Sequence, residues 1–159
     1  MPANGDAAVT AQIADTIAID GNDHALFSEP LEAYYRDLPR PAFIPESTAN
    51  WRGYVARWEI RAGRLFLIGI RAEICDVPMF GWDCTGLRRK VGLGDLFAPE
   101  DGVVFAGWFS GTLRVPVGAQ IQYQHMGYES VFEFDLMLMI ENGIVRSTTT
   151  IDNRWRLPR

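Results

Sequence analysis

Apolar and polar residues alternate along most of the chain after residue 50, which is typical of antiparallel β-strands with one buried face. The segment 51–60 reads WRGYVARWEI, with an apolar side chain at every second position from Tyr54. After a short turn, RLFLIGIRAEI at 64–74 predicts a second strand. The two segments together predict a β-hairpin.

Two turns could join these strands, and they differ in register. A two-residue turn at Ala62-Gly63 would put Arg57 and Glu59 on the face of Phe66. A three-residue turn with a left-handed Gly63 gives a single apolar face instead. We expect the three-residue turn because of the pairs it forms: Trp58 with Phe66, Ala56 with Ile68 and Tyr54 with Ile70.

The C-terminal half predicts further strands. Residues 102–118 should bend or break at Gly111, with Pro116 marking an edge strand or an exit. Alternation continues over 119–125 and 129–140, and Asn142-Gly143 is a strong hairpin signal before the returning strand at 144–152.

The N-terminal half predicts little regular structure. Residues 1–24 read as a polar tail with one extended segment at 16–19, and prolines interrupt 25–50. A short helix is expected at 29–38, with Ser28 as N-cap and Pro30 in its first turn. Residues 75–102 read as a long loop.

These patterns predict an all-β fold: a single-domain antiparallel β-barrel or strongly bent sandwich of about six to eight strands, with one short helix near the N-terminus. The predicted β-domain covers residues 25–159 and follows the polar tail at 1–24. A chain of 159 residues is long enough for one hydrophobic core.

Net charge, the N-terminal pattern and cysteine spacing reduce the range of functions and locations to be considered. A net charge of −5 argues against general nucleic-acid or membrane binding, which needs a basic surface. The N-terminus has no secretory pattern, so we expect a cytoplasmic protein. Eight residues separate Cys75 from Cys84, a spacing that matches no zinc or redox motif, and free thiols are expected there.

Several stretches carry a resemblance. WRGYVARWEI, the glycine turn and RLFLIGI, then WFSGTLR and YQHMGYESVFEFDL, resemble a group of small uncharacterised bacterial proteins with similar WRGY and HMGY stretches. The resemblance covers about residues 25–150. It implies a bacterial or phage origin. It supplies no activity, ligand or catalytic residue that could be assigned to this chain.

Histidine chemistry suggests one candidate site. His125 ends the strand at 119–125, and a hydrolase-like enzyme could use it as acid or base with three carboxylates, Glu129, Glu133 and Asp135. The alternative is a turn histidine beside solvated carboxylates, or carboxylates paired with Arg57, Arg71 or Arg114. His24, in the predicted tail, is expected to have no site role.

Aromatic and amide side chains suggest a second candidate. Rings and glutamine amides could line a pocket for a polar-aromatic ligand, or the rings could simply fill the core. The candidate ligand-binding residues are Trp51, Tyr54, Trp108, Gln122, Tyr123, His125 and Tyr128.

We therefore expect a non-enzymatic binding or interaction protein. It is either an acidic protein-binding module of the inhibitor or immunity type, or a barrel holding a small ligand. The alternative is the hydrolase built on His125. No metal or cofactor is expected, and the partner is an unknown protein or a small ligand.

Overall fold

The computed structural model describes residues 11–76, 84 and 86–157 and shows a single, open sheet of nine strands. The strands are β1 Asp15–Ile19, β2 Asn22–Leu26, β3 Tyr54–Arg61, β4 Arg64–Cys75, β5 Arg88–Val91, β6 Val104–Phe105, β7 Gly111–Gln122, β8 Val131–Glu141 and β9 Ile144–Asp152. Two helices, α1 Pro30–Asp37 and α2 Leu93–Leu96, and a 3₁₀ turn at Arg154–Arg156 complete the described elements. Within these ranges, no helix is long and apolar enough to cross a membrane.

The strands follow the order β2-β1-β3-β4-β9-β8-β7, and β5 and β6 also pair with β4. All pairs are antiparallel except β1 with β3. The all-β prediction is confirmed, but there are nine strands rather than six to eight, and the sheet does not close into a barrel. Its two ends come together just beyond β2, where Phe27 N–H donates to the Arg114 carbonyl at 2.8 Å.

The first hairpin lies where the sequence predicted a polar tail. The extended segment at 16–19 is present within β1, and Asp20 and Gly21 turn the chain with φ of 52° and 80°. Left-handed conformations at both positions suit a two-residue hairpin turn. Asp15 and Ile17 are fully buried, so this hairpin is part of the core. Residues 1–10 lie outside the described part of the chain.

The predicted turn between β3 and β4 is wrong. Arg61 pairs with Arg64 across a two-residue turn, and Ala62 takes a left-handed φ of 50°. Leu67 therefore pairs with Trp58 and is fully buried, while Phe66 packs against Phe105 with ring centroids 5.7 Å apart. A bulge after Arg57 shifts the remaining pairs.

The tips of the β3–β4 and β8–β9 hairpins are hydrogen-bonded to each other. The predicted Asn142-Gly143 turn is confirmed, and beside it Leu65 N–H donates to the Gly143 carbonyl at 2.8 Å. Gly143 has a φ of 79°, and a Cβ there would lie 2.7 Å from the Ala106 carbonyl oxygen. Glycine at this position therefore allows both the turn and the close contact.

The core combines side chains from distant parts of the strand order. It includes Ile17, Tyr54 and Trp58 from β1 and β3, and Leu113, Val115, Leu138 and Ile140 from β7 and β8. Pro116, predicted to mark an edge or exit, lies in β7 at the end of the strand order.

The connections differ from prediction in three details. The helix predicted at 29–38 is present as α1, but it begins at Pro30 and Ser28 does not cap it, because the Ser28 hydroxyl accepts the Arg114 N–H at 3.0 Å. The predicted loop at 75–102 contains β5 and α2. The expectation of free thiols is wrong, since Cys75 and Cys84 form a disulfide with their Cα atoms 5.8 Å apart.

The register of β3 and β4 can be tested by paired alanine substitutions. Leu67→Ala should cost about 2–5 kcal/mol of unfolding free energy, because it opens a cavity in the core. Phe66→Ala, on the half-exposed opposite face, should cost less. Urea denaturation of both variants measures the difference, and a larger loss for Phe66→Ala would contradict the two-residue turn.

Candidate functional site

Two concave regions lie in different parts of the described structure. The polar recess has a volume of about 290 Å³ and is lined by Gln12, Glu29, Glu32, Arg40, Trp51 and Arg52. The apolar cleft has a volume of about 480 Å³ and is lined by Ile19, Asp20, Asn22, His24, Val117, Phe134, Leu136 and Thr150.

A buried ion pair forms the base of the polar recess. Arg52, just before β3, donates from Nη2 to Asp15 Oδ1 at 2.7 Å, and the two side chains are 3% and 0% exposed. Asp15 also accepts the Ala56 N–H at 2.9 Å and the Trp58 indole N–H at 3.0 Å. Burial raises the pKa of Asp15, while Arg52 and these donors oppose the shift.

The Arg52 guanidinium is only partly satisfied. Its Nε and Nη1 have no hydrogen-bond partner among the described residues, although Nε lies 3.4 Å from Glu29 Oε2. Burial would lower the pKa of Arg52, but the Asp15 carboxylate raises it overall. Arg52 is therefore a permanent cation whose Nε and Nη1 are buried beside the recess without a hydrogen-bond partner.

Glu29 is the least neutralised carboxylate of the recess. Its side chain is 33% exposed. Burial raises its pKa, Arg52 opposes this, and Glu32 and Asp15 add to it. Since Asp15 already holds Arg52 more closely, Glu29 has capacity for another cation.

The rim of the recess is more fully paired. Glu32 accepts two hydrogen bonds from Arg40 Nη1, at 3.0 and 2.8 Å, and one from the Tyr54 hydroxyl at 2.6 Å. Burial and this bond to Glu32 raise the pKa of Tyr54. Trp51 is 48% exposed and offers an aromatic surface at the rim.

Three of the seven predicted ligand-binding residues gather around Arg52. Trp51 lines the recess, and the Arg52 guanidinium lies 5.1 Å from the ring centre of Tyr54. The Tyr128 hydroxyl is buried near Arg52 and Glu29 without a well-aligned hydrogen bond, and burial raises its pKa.

The other four lie elsewhere. Trp108 packs against the core, with its ring centre 6.3 Å from that of Trp58. Its indole N–H donates to the Pro30 carbonyl at 3.1 Å. Gln122, Tyr123 and His125 are exposed, and the last two contact each other edge to face at 4.9 Å.

Two of the hydrolase candidates, Glu129 and Asp135, line one recess, and His125 does not line it. Glu133 accepts the Ala119 N–H at 2.7 Å, and Glu129 is exposed. Asp135 is buried and accepts hydrogen bonds from Arg114 Nε at 2.9 Å and Asn153 Nδ2 at 3.0 Å. Pairing of this carboxylate with Arg114 was one of the alternatives that the sequence left open. Within the described ranges, no cluster of three or more potential metal ligands occurs.

The apolar cleft opens between the first hairpin and strands β7 to β9. His24 pairs with buried Ile17 across that hairpin, so both share the face toward the core. His24 was predicted to lie in a polar tail, whereas the Asp20-Gly21 turn folds that segment into a hairpin. Asp15, Glu29 and Arg52 were not predicted, because no local spacing marks them as a site.

Removing one member of the buried ion pair should be strongly destabilising. Asp15→Asn leaves the Arg52 cation buried without its counter-ion, and a loss of about 3–5 kcal/mol is expected. Asp23→Asn is the control, because the Asp23 carboxylate is exposed and 3.9 Å from Arg57. Urea denaturation of both checks this, and equal stabilities would contradict the role of Asp15.

No protein-family model, curated protein or solved structure matches this chain.

Proposed function

We propose that this chain is a non-enzymatic binding protein whose polar recess holds a small zwitterion, a free α-amino acid being the simplest member of the class. The observation that carries the proposal is Arg52, a buried cation with two unpartnered N–H groups beside the carboxylate of Glu29. An isolated buried donor is costly, so a ligand that accepts from it gains affinity.

The anionic group of the ligand is matched to Arg52. A carboxylate accepts strong, charge-assisted hydrogen bonds from a guanidinium. Asp15 occupies only Nη2, and Nη1, buried beside the recess, has no hydrogen-bond partner. A ligand that carried only negative charge would meet Glu29 and Glu32 in the same recess, which disfavours simple anions.

The cationic group of the ligand is matched to Glu29. An ammonium beside it would stabilise the ionised carboxylate, whose pKa burial has raised. The volume of about 290 Å³ suits a ligand of amino-acid size. Trp51 at the rim can cover an apolar side chain of the ligand.

The competing functions have weaker support. A hydrolase needs an acid and a base near one another, whereas His125 is exposed and Asp135 is engaged by Arg114 and Asn153. An acidic inhibitor-type module is favoured by the net charge of −5, but that charge does not define a contact surface.

The proposal is tested by titrating the protein with each of the twenty amino acids at about 10 mM. A ligand at 100 times its Kd adds about 2.7 kcal/mol to stability, which thermal unfolding detects readily. Isothermal calorimetry of the best ligand should give an affinity at least tenfold weaker for Glu29→Gln. Glu46→Gln, an exposed site outside the recess, is the control. No stabilisation by any amino acid would refute the proposal.

The affinity should depend on pH in one direction. The ligand ammonium requires ionised Glu29, so binding weakens as pH falls through the Glu29 pKa, which is raised above 4.5 by burial. Calorimetry from pH 7.5 to 4.5 should show this loss in the wild type and not in Glu29→Gln. An affinity that rises as the pH falls would contradict the role of Glu29.

The apolar cleft favours a second candidate function, the holding of an apolar small molecule. Ile19, Val117, Phe134 and Leu136 form its walls, and His24 and Asn22 offer polar groups. The cleft volume lies within the range of ordinary ligand pockets.

The cleft can be tested with anilinonaphthalene sulfonate, which fluoresces in apolar sites. Asn22→Trp should occupy part of the cleft and reduce dye binding several-fold. Asp23→Trp is the matched control, because adjacent residues of β2 point to opposite faces and Asp23 does not line the cleft. Equal loss in both variants, or no dye binding by the wild type, would count against this site.

A further inference from the structure

Strand β9 has a free edge along most of its length. It pairs with β8 throughout, but with β4 only where Arg64 faces Ile144. Residues 146–152 are all exposed, and no described strand pairs with their outer side. Their backbone groups form a template for another strand.

Between the bulge at Arg146 and the charge at Asp152, this edge lacks the features that usually prevent strand addition. Its sequence, RSTTTID, contains no proline, glycine or lysine and is rich in β-branched residues. Strand β7, at the end of the sheet, shows the contrast: it carries Pro116 and Gly118, and Phe27 donates a hydrogen bond to it.

We propose that a second copy of this chain adds to this edge, through antiparallel pairing of β9 with β9 about a two-fold axis at Thr149. An isologous dimer places the same strand on both sides of the axis. Outward-pointing backbone groups alternate along a strand, so only registers centred on a residue match both edges.

Charge selects among these registers. Centring on Thr149 places Arg146 of one copy nearest Asp152 of the other, and Thr148 opposite Thr150. Centring on Thr150 would bring Arg146 toward Arg154, in the turn just beyond β9, an approach that like charges disfavour. The arginine and aspartate are exposed and already contact Glu141 and Arg154 of their own chain, so the pairing extends a charge network.

Exposed apolar side chains lie along the same edge. Ile151 is 44% exposed and would face Ser147 of the second copy, whose neighbour on β8 is Met139, 47% exposed. Trp155, just beyond β9, is 76% exposed. One strand pair makes a small interface, so we expect a dimer that dissociates on dilution.

Cysteine cross-linking tests both the contact and its register. In Thr149→Cys, the two introduced residues face each other with Cα atoms about 4.5–5.5 Å apart, within disulfide range. In Ser147→Cys, the matched control, they are four residues out of register, about 14 Å apart along the strands. Mild oxidation should therefore yield a covalent dimer of Thr149→Cys alone. Cross-linking of Ser147→Cys instead, or equally, would overturn the register.

Sedimentation equilibrium tests the association without cysteines. The wild type should show a concentration-dependent dimer, and Thr149→Lys should weaken it at least tenfold, because two lysines then face each other. Circular dichroism confirms that this exposed substitution leaves the fold intact. A wild-type chain that stays monomeric up to about 1 mM, the range of very weak association, would overturn the proposal.

Discussion

The carboxylate of Asp15 joins β1 to β3 and to Arg52. Strand β1 pairs in parallel with β3 through only three residue pairs. Asp15 extends that attachment, because its two oxygens accept from the Ala56 backbone, the Trp58 indole and Arg52. A side chain with three donors around it holds β1 against β3 where the backbone ladder has ended.

The position of β1 has consequences for both concave regions. Strand β1 connects to β2 through a tight turn. After β2 the chain forms a hydrogen bond with Arg114 of β7 and then enters α1. Glu29 immediately precedes that helix and Glu32 lies in its first turn, so the same attachment brings both toward Arg52. Fold and polar recess therefore both depend on one buried ion pair, in which the loss of either partner leaves an uncompensated charge.

Local signals in the sequence predicted the fold class, the Asn142-Gly143 turn and the start of α1, because each depends on residues close together in the chain. The β3–β4 register was mispredicted for a local reason. Left-handed geometry was expected at Gly63 alone, whereas Ala62 adopts it as well. That change of one residue exchanges Phe66 for Leu67 in the core.

The site was less predictable for a different reason. Trp51 and Tyr54 were identified by side-chain type, but Asp15 and Arg52 are 37 positions apart and are joined only by tertiary structure. Glu29 gains its character from burial beside Arg52, which no spacing reveals.

The recess and the free edge of β9 have a common physical basis. Elsewhere in the described structure, strand pairing satisfies most backbone groups, and buried side-chain polar atoms without partners are confined to Asn50, Arg52 and Tyr128. Hydrogen-bonding groups without partners destabilise the fold when they are buried, and they can pair with another chain when they are exposed at a strand edge. Arg52 is an instance of the first and β9 of the second. A small acceptor would suit Arg52 and an extended strand would suit β9, so the two proposals require different partners and can be refuted independently.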